Sequence, residues 1–211
     1  MEAAKKVAEE IFRVLPSLEG DHIVPKNAYE KALCESLGWQ VFDNRYYDAF
    51  NGETYIEIKK GQGGMHFDMV RYAELLLGHG PAGTLTVFFR WKKKEKRIIE
   101  ALVIDTKVLI DFLCIDKQYA LLYLQVKARV PRGVNILASA TAKDLREIAC
   151  VRVDHQGLHL APQAPLAPLL PCERALCKKR RQRQWTQHSI RNFLKKQRKS
   201  NDRKSIMYYL F

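Results

Sequence analysis

The chain is 211 residues long, 47% hydrophobic and 28% charged, with a formal net charge of +13, which suits one domain of ordinary size plus an extension. No apolar run approaches the roughly 20 residues of a membrane-spanning helix. The charged start MEAAKKVAEEIFRVL lacks the apolar stretch of a secretory signal, so no membrane partner is expected.

Residues 2–14 read as a helix with Val7, Ile11, Val14 and Leu15 on one face and Pro16 at its end. A second helix is expected over 27–37, with Asn27 as N-cap, Glu30 at the third position and Gly38 as the stop. Residues 39–42 and 45–50 are aromatic-rich and strand-like. Asn51-Gly52 is a two-residue hairpin signal, and 54–59 alternates as the returning strand. Gly61-Gln62-Gly63-Gly64 reads as a flexible link, followed by a helix over 65–77. Strands are expected over 85–91 and 97–104, around the Lys-rich turn 92–96. Helices follow over 106–113 and 117–126, then a strand over 133–137 and a helix over 141–149. This order predicts an α/β fold with a mixed central sheet flanked by helices. The body is expected over 1–155, a Pro/Ala-rich linker over 156–172, and a flexible basic tail over 173–211.

The segment Tyr47-Asp48-Ala49-Phe50-Asn51-Gly52-Glu53-Thr54-Tyr55-Ile56-Glu57-Ile58-Lys59 carries the chemistry. With a two-residue turn, Phe50 faces Glu53 and Asp48 faces Tyr55. Tyr55, Glu57 and Lys59 share one face by alternation, and Asp48 joins them. Asp48 and Glu57 are then diagonal neighbours about 7–8 Å apart, close enough to share a metal. Two carboxylates are hard oxygen ligands for Mg²⁺, with Mn²⁺ able to substitute, and phosphate and water complete the shell. Lys59 is placed to orient the attacking water and to stabilise developing negative charge. Ile56 and Ile58 point the other way, into the core.

An Asp, a hairpin turn and Glu-x-Lys resembles the signature of the PD-(D/E)XK, or restriction-endonuclease-like, nuclease superfamily. Here it reads Asp48, then Glu57-Ile58-Lys59; Tyr47 stands where that family often has Pro. Over roughly 27–115 the order of elements is similar to the PvuII-type endonucleases, with their His-rich loop reduced to His66. The resemblance implies a restriction-endonuclease-like sheet and Mg²⁺-dependent DNA cleavage by Asp48, Glu57 and Lys59. It also implies a further carboxylate from Glu30 or Glu35. Lys60, Gln62 and His66 are the expected nucleic-acid contacts of the body. The oligomeric state stays open, a homodimer included.

Charge is concentrated in the tail. Between Glu173 and Lys204 thirteen Lys and Arg stand against two Asp and Glu, leaving 23 basic and 21 acidic residues elsewhere. Such a block points to a polyanionic partner, nuclear import, or both. Lys178, Lys179, Arg180, Arg181, Gln182 and Arg183 form a nuclear-localisation-like run that would also bind DNA in a salt-sensitive way. Gln187, Ile190, Phe193 and Leu194 resemble the peptide that binds the sliding clamp PCNA: in a helical turn Ile190 and Phe193 share a side and form one apolar plug. DNA and PCNA are thus the expected partners, and the nucleus the expected location. Residues 205–211 are apolar and have no assigned role.

Five cysteines, odd in number and irregularly spaced, suit a reducing compartment. Cys150, His155, His159, Cys172 and Cys177 are zinc-ligand types, but no tight knuckle spacing joins them and a proline-rich stretch divides them. Two competing functions are kept in view: a non-cutting DNA- and PCNA-binding module with a nuclease-like fold, and an RNA-binding or RNA-processing protein driven by the basic tail.

Overall fold

The computed structural model describes residues 1–20, 29–129 and 136–160, all within the unit Met1–Pro165. Helix α1 (Glu2–Val14) buries Ala4, Val7, Ala8 and Ile11, the three- and four-residue spacing of one helix face. Helix α2 (Tyr29–Leu37) stops at Gly38, whose φ of +69° is the left-handed conformation that ends helices. The expected N-cap Asn27 lies outside the described residues.

Strands β1 (Gln40–Val41), β2 (Ala49–Phe50), β3 (Tyr55–Gly61), β5 (Leu85–Lys92), β6 (Arg97–Asp105), β8 (Val151–Asp154) and β9 (Gly157–Leu160) form one sheet in the order β1-β2-β3-β5-β6-β8-β9. Only the β3–β5 pair is parallel. The crossover between those two strands carries β4 (Gly64–Asp68) and helix α3 (Met69–Leu76). Helices α4 (Thr106–Phe112), α5 (Lys117–Arg129) and α6 (Ala142–Ile148) follow, and β7 (Leu137–Thr141) pairs with β4 as a separate ribbon. No helix among the described residues is long and apolar enough to cross a membrane.

Alternation along the strands sorts the two sheet faces. Ile56, Ile58, Val87, Phe89, Ala101, Val103, Val151 and Val153 point to α1 and α2 and form the main core with Val7, Ile11 and Leu33. Each of the Val, Ile, Leu and Phe side chains among them contributes about 1.5–3 kcal/mol by leaving water. Glu57, Phe88, Glu100, Leu102 and Arg152 are on the opposite face, because Lys59↔Phe88↔Leu102↔Arg152 is one register row. Against that side lie α3, which packs on α4 and α5, and α4 and α6, which pack on β6.

Several expectations need correction. The strand expected over 45–50 is only Ala49–Phe50, and that over 39–42 only Gln40–Val41. Residues 64–68 are strand, not the start of a helix: Met65 and Phe67 alternate as buried positions with His66 between them, and Asp68 caps α3 by accepting from Val70 N at 3.1 Å. The Gly-rich link is tight rather than loose. A Cβ on Gly61 would collide with Gly64 O, and one on Gly64 with Ala140 O. Of the strand expected over 133–137, residues 133–135 lie outside the described residues; the described strand runs Leu137–Thr141, and Thr141 closes it by forming a capping box with Asp144 at the start of α6. The β8–β9 hairpin was not foreseen, and it carries the sheet to Leu160, past the expected end of the body. The rest of the expected linker and the whole basic tail lie outside the described residues.

Candidate active site

The hairpin register is the first determinant of the site. Ala49 pairs with Ile56 and Phe50 with Tyr55, so the connection is the four residues Asn51–Thr54 rather than a two-residue turn. Asn51 Oδ1 accepts from Glu53 N at 3.2 Å and Thr54 N at 2.9 Å, building the wider loop around its own side chain. The shift is an even number of residues, so each side chain keeps its face. Tyr55 is paired with Phe50, so it does not face Asp48; Asp48, one residue before β2, is seated against β3 between Ile56 and Ile58 by hydrogen bonds to both.

Asp48 is fixed by its backbone and its side chain together. Its N–H donates to Ile56 O and its carbonyl accepts from Phe42 N, both at 2.9 Å. Because β2 has ended, Ile58 N–H goes to Asp48 Oδ2 instead of a strand carbonyl, at 2.7 Å. Oδ1 meets no donor among the described residues. The loop itself is tied to α1: Glu10 Oε2 accepts from Trp39 Nε1 at 2.8 Å and from Asn51 Nδ2 at 3.0 Å, and Lys6 pairs with Glu53.

Glu57 is 2% exposed, and its Oε1 pairs with both Lys59 and Arg71. Arg71 enters from the first turn of α3, is 7% exposed, and donates through Nη2 to Tyr46 O at 2.5 Å. Beside it, Arg45 pairs with Glu74 at 2.6 Å, so α3 fastens the segment leading into Asp48 at two points. Burial pulls the Arg71 guanidinium below its usual value, opposed by Tyr72 and Asp48; a guanidinium nevertheless stays charged. Arg71 escaped the sequence reading, although a basic residue inside Met69-Val70-Arg71-Tyr72-Ala73 is a charge in an otherwise apolar stretch. Glu10 escaped it too.

The structure therefore brings Asp48, Glu57 and Lys59 together and adds Arg71. The four charges sum to zero. Among the described residues no group of three or more His, Cys, Asp or Glu is placed to hold a metal. Mg²⁺ is nevertheless commonly held by one or two carboxylates, with water and phosphate supplying the rest. Asp48 and Glu57 fit that donor set on one condition: Glu57 must exchange part of its contact with Arg71.

The other expected residues are dispersed. Glu30 is half-buried on α2, and its charge is felt at Tyr29 and Lys60. Burial, reinforced by Asp48, Glu30 and Glu35, pushes the Cys34 thiol up to about 12. Glu35 itself is exposed and pairs with Lys31 at 3.7 Å, a solvated helix pair. Lys60 lies on the face opposite Lys59, with Nζ 4.4 Å from the Tyr29 ring centre and 5.0 Å from that of Trp91. Burial lowers its pKa and Glu30 opposes that. Gln62 is exposed in the β3–β4 turn; His66 is exposed on β4 with Nδ1 2.7 Å from Ser139 Oγ. His155 Nε2 is 3.3 Å from Ile98 O and His159 Nε2 3.1 Å from Asp154 Oδ1. Cys34 and Cys150 are free thiols. Cys172, Cys177, Lys178, Lys179, Arg180, Arg181, Gln187, Ile190, Phe193 and Leu194 lie outside the described residues.

Neither a scan against protein-family models nor a search of curated proteins finds a match to this chain.

Proposed function

We propose that this protein is a metal-dependent DNA endonuclease with a restriction-endonuclease-like body, cleaving phosphodiester bonds at the Asp48–Glu57 pair. The supporting observation is the Ile58 N–H bond to Asp48 Oδ2, which seats Asp48 against β3 at the residue next to Glu57, with Lys59 paired to Glu57 on its face. Mg²⁺, held by Asp48 and Glu57, would supply charge neutralisation at the scissile phosphate and a bound water of lowered pKa. Lys59 orients the attacking water by its ammonium and stabilises negative charge on the phosphate oxygens as they develop it. Asp48 is kept in place by the Ile58 N–H, and Arg71 holds Glu57 until a phosphate adds its negative charge to the neutral cluster. Metal and DNA should accordingly bind cooperatively. In this reading the basic tail brings the body to nuclear DNA, and the Gln187–Leu194 peptide engages PCNA, raising the local concentration of a weak enzyme.

The buried Glu57–Arg71 pair favours a second reading, a binding module of similar fold that no longer cuts, because a permanent cation already satisfies Glu57. The test incubates wild type, Asp48→Asn and Lys59→Ala with labelled duplex, branched and single-stranded DNA and RNA, in Mg²⁺, Mn²⁺ or EDTA. Cleavage that needs metal and is lost in both variants supports the nuclease, and the preferred strand names the substrate. Binding without cleavage supports the module. A preference for RNA moves the protein to RNA processing.

A further inference from the structure

The same sheet face carries a second buried carboxylate with a different surrounding. Glu100 on β6 is 1% exposed. Its Oε2 accepts from Arg90 Nε at 2.6 Å and Arg146 Nη2 at 2.8 Å; its Oε1 accepts from Arg146 Nε at 2.8 Å and pairs with Arg152 Nε at 2.8 Å. The arginines come from β5, α6 and β8, so the cluster exists only in the folded chain. One buried carboxylate is satisfied by one or two cations; here there are three. Arg152 Nη2 also donates to Asp154 Oδ2 at 2.6 Å, and counting Asp154 the cluster still carries one net positive charge.

The surplus is directed outward. The side chains of Arg90, Arg146 and Arg152 are 28%, 35% and 43% exposed. Both terminal nitrogens of Arg90, and one each of Arg146 and Arg152, meet no acceptor among the described residues. Guanidinium forks match the oxygens of phosphate. Three forks already held by Glu100 lose little rotamer freedom when they meet one. Arg90 is the register partner of Gly61, two residues past Lys59 on the neighbouring strand. Strand spacings put its Cα about 8 Å from that of Lys59.

We propose that Arg90, Arg146 and Arg152 form a phosphate-binding patch that holds the nucleic-acid backbone beyond the Asp48–Glu57 site. The assignment of the anion to nucleic acid rests on the function proposed above. Glu100 is then a positioning residue that presents the three forks, and Arg146, which grips it with two bonds, is the hinge of the arrangement.

The test measures binding of the full chain to fluorescent duplex and single-stranded DNA by anisotropy in EDTA, over a salt series. Each phosphate contact contributes about 0.9 to the log–log salt slope for duplex and about 0.7 for single strands. Arg90→Gln with Arg152→Gln should reduce the slope by nearly two for duplex. The charge-matched control Lys5→Gln with Lys117→Gln, at exposed positions on α1 and α5, should leave it nearly unchanged. If the double variant melts, Arg90→Gln alone keeps Arg146 and Arg152 on Glu100 and should lower the slope by just under one. A folded variant with the slope and affinity of the control overturns the patch and leaves Glu100 as a structural ion cluster. Because no cleavage occurs in EDTA, this result is independent of whether the chain cuts DNA.

Discussion

Glu57 and Glu100 are both buried glutamates on one face of one sheet, and they differ in what surrounds them. Glu57 has a second carboxylate beside it, and the two cations on its Oε1 balance that pair to zero. Glu100 has cations on both oxygens, and three arginines more than balance it. Burial alone therefore does not define a site. In the functions proposed above, the buried acid beside another acid takes a cation, whereas the buried acid ringed by half-exposed arginines presents positive charge to an anion.

The largest difference should appear when one cation is removed from each cluster. Arg71→Met leaves Glu57 buried with only Lys59, and breaking a buried pair costs about 3–5 kcal/mol. Urea denaturation should register that loss in EDTA. Arg146→Gln leaves Arg90 and Arg152 on Glu100 and should cost about 1–3 kcal/mol. Equal losses would remove the distinction between the two clusters.

Activity gives the next contrast. Lys59→Ala should lower cleavage about 100- to 1,000-fold, the usual effect of removing one group that stabilises transition-state charge. Arg90→Gln should instead weaken DNA binding with a smaller change in the single-turnover rate at saturating DNA. A similar fall in both quantities for both variants would merge the two sites into one.

Acid should act on the second cluster. Burial pushes the Glu100 carboxyl up, but the hydrogen bonds from Arg146 and Arg90 outweigh it and hold the group below its ordinary value of 4.5. A depressed carboxyl contributes stability that is fully present above the unfolded-state value and is lost as pH falls through the lower native value. The stability difference between wild type and Glu100→Gln should thus be constant near neutrality and shrink below about pH 4.5. A difference that grows as pH falls there would contradict the arrangement.

The smallest expected effect concerns the loop. Glu10→Gln weakens the two bonds that tie Trp39 and Asn51 to α1, at a cost of about 1 kcal/mol. Amide exchange of the 51–54 loop should rise while the core strands stay protected. Unchanged exchange would show that Asn51 shapes the loop without help from α1.

Strand β3 was legible in the sequence because Ile56 and Ile58 alternate with Glu57 and Lys59 and one face is core. Its register was not, because Asn51-Gly52 signals a two-residue turn while the Asn51 side chain builds a four-residue loop. The start of α3 was misplaced because Met65 and Phe67 run into Met69 and Val70 as one apolar stretch; only the Asp68 cap separates strand from helix. The β8–β9 hairpin was hidden by two strands of four residues each. Arg71 left a faint local signal. The arginines around Glu100 left none, because four separate elements bring that cluster together.

The most direct test of the central claim is single-turnover cleavage of labelled duplex DNA by wild type and by Asp48→Asn, which keeps the size of the side chain and removes its charge. Metal-dependent cutting by wild type, abolished by EDTA and by Asp48→Asn while the variant still binds DNA, is the expected result. Binding without cutting in Mg²⁺ and Mn²⁺, or equal cutting by the two proteins, would contradict a hydrolytic site at Asp48 and Glu57.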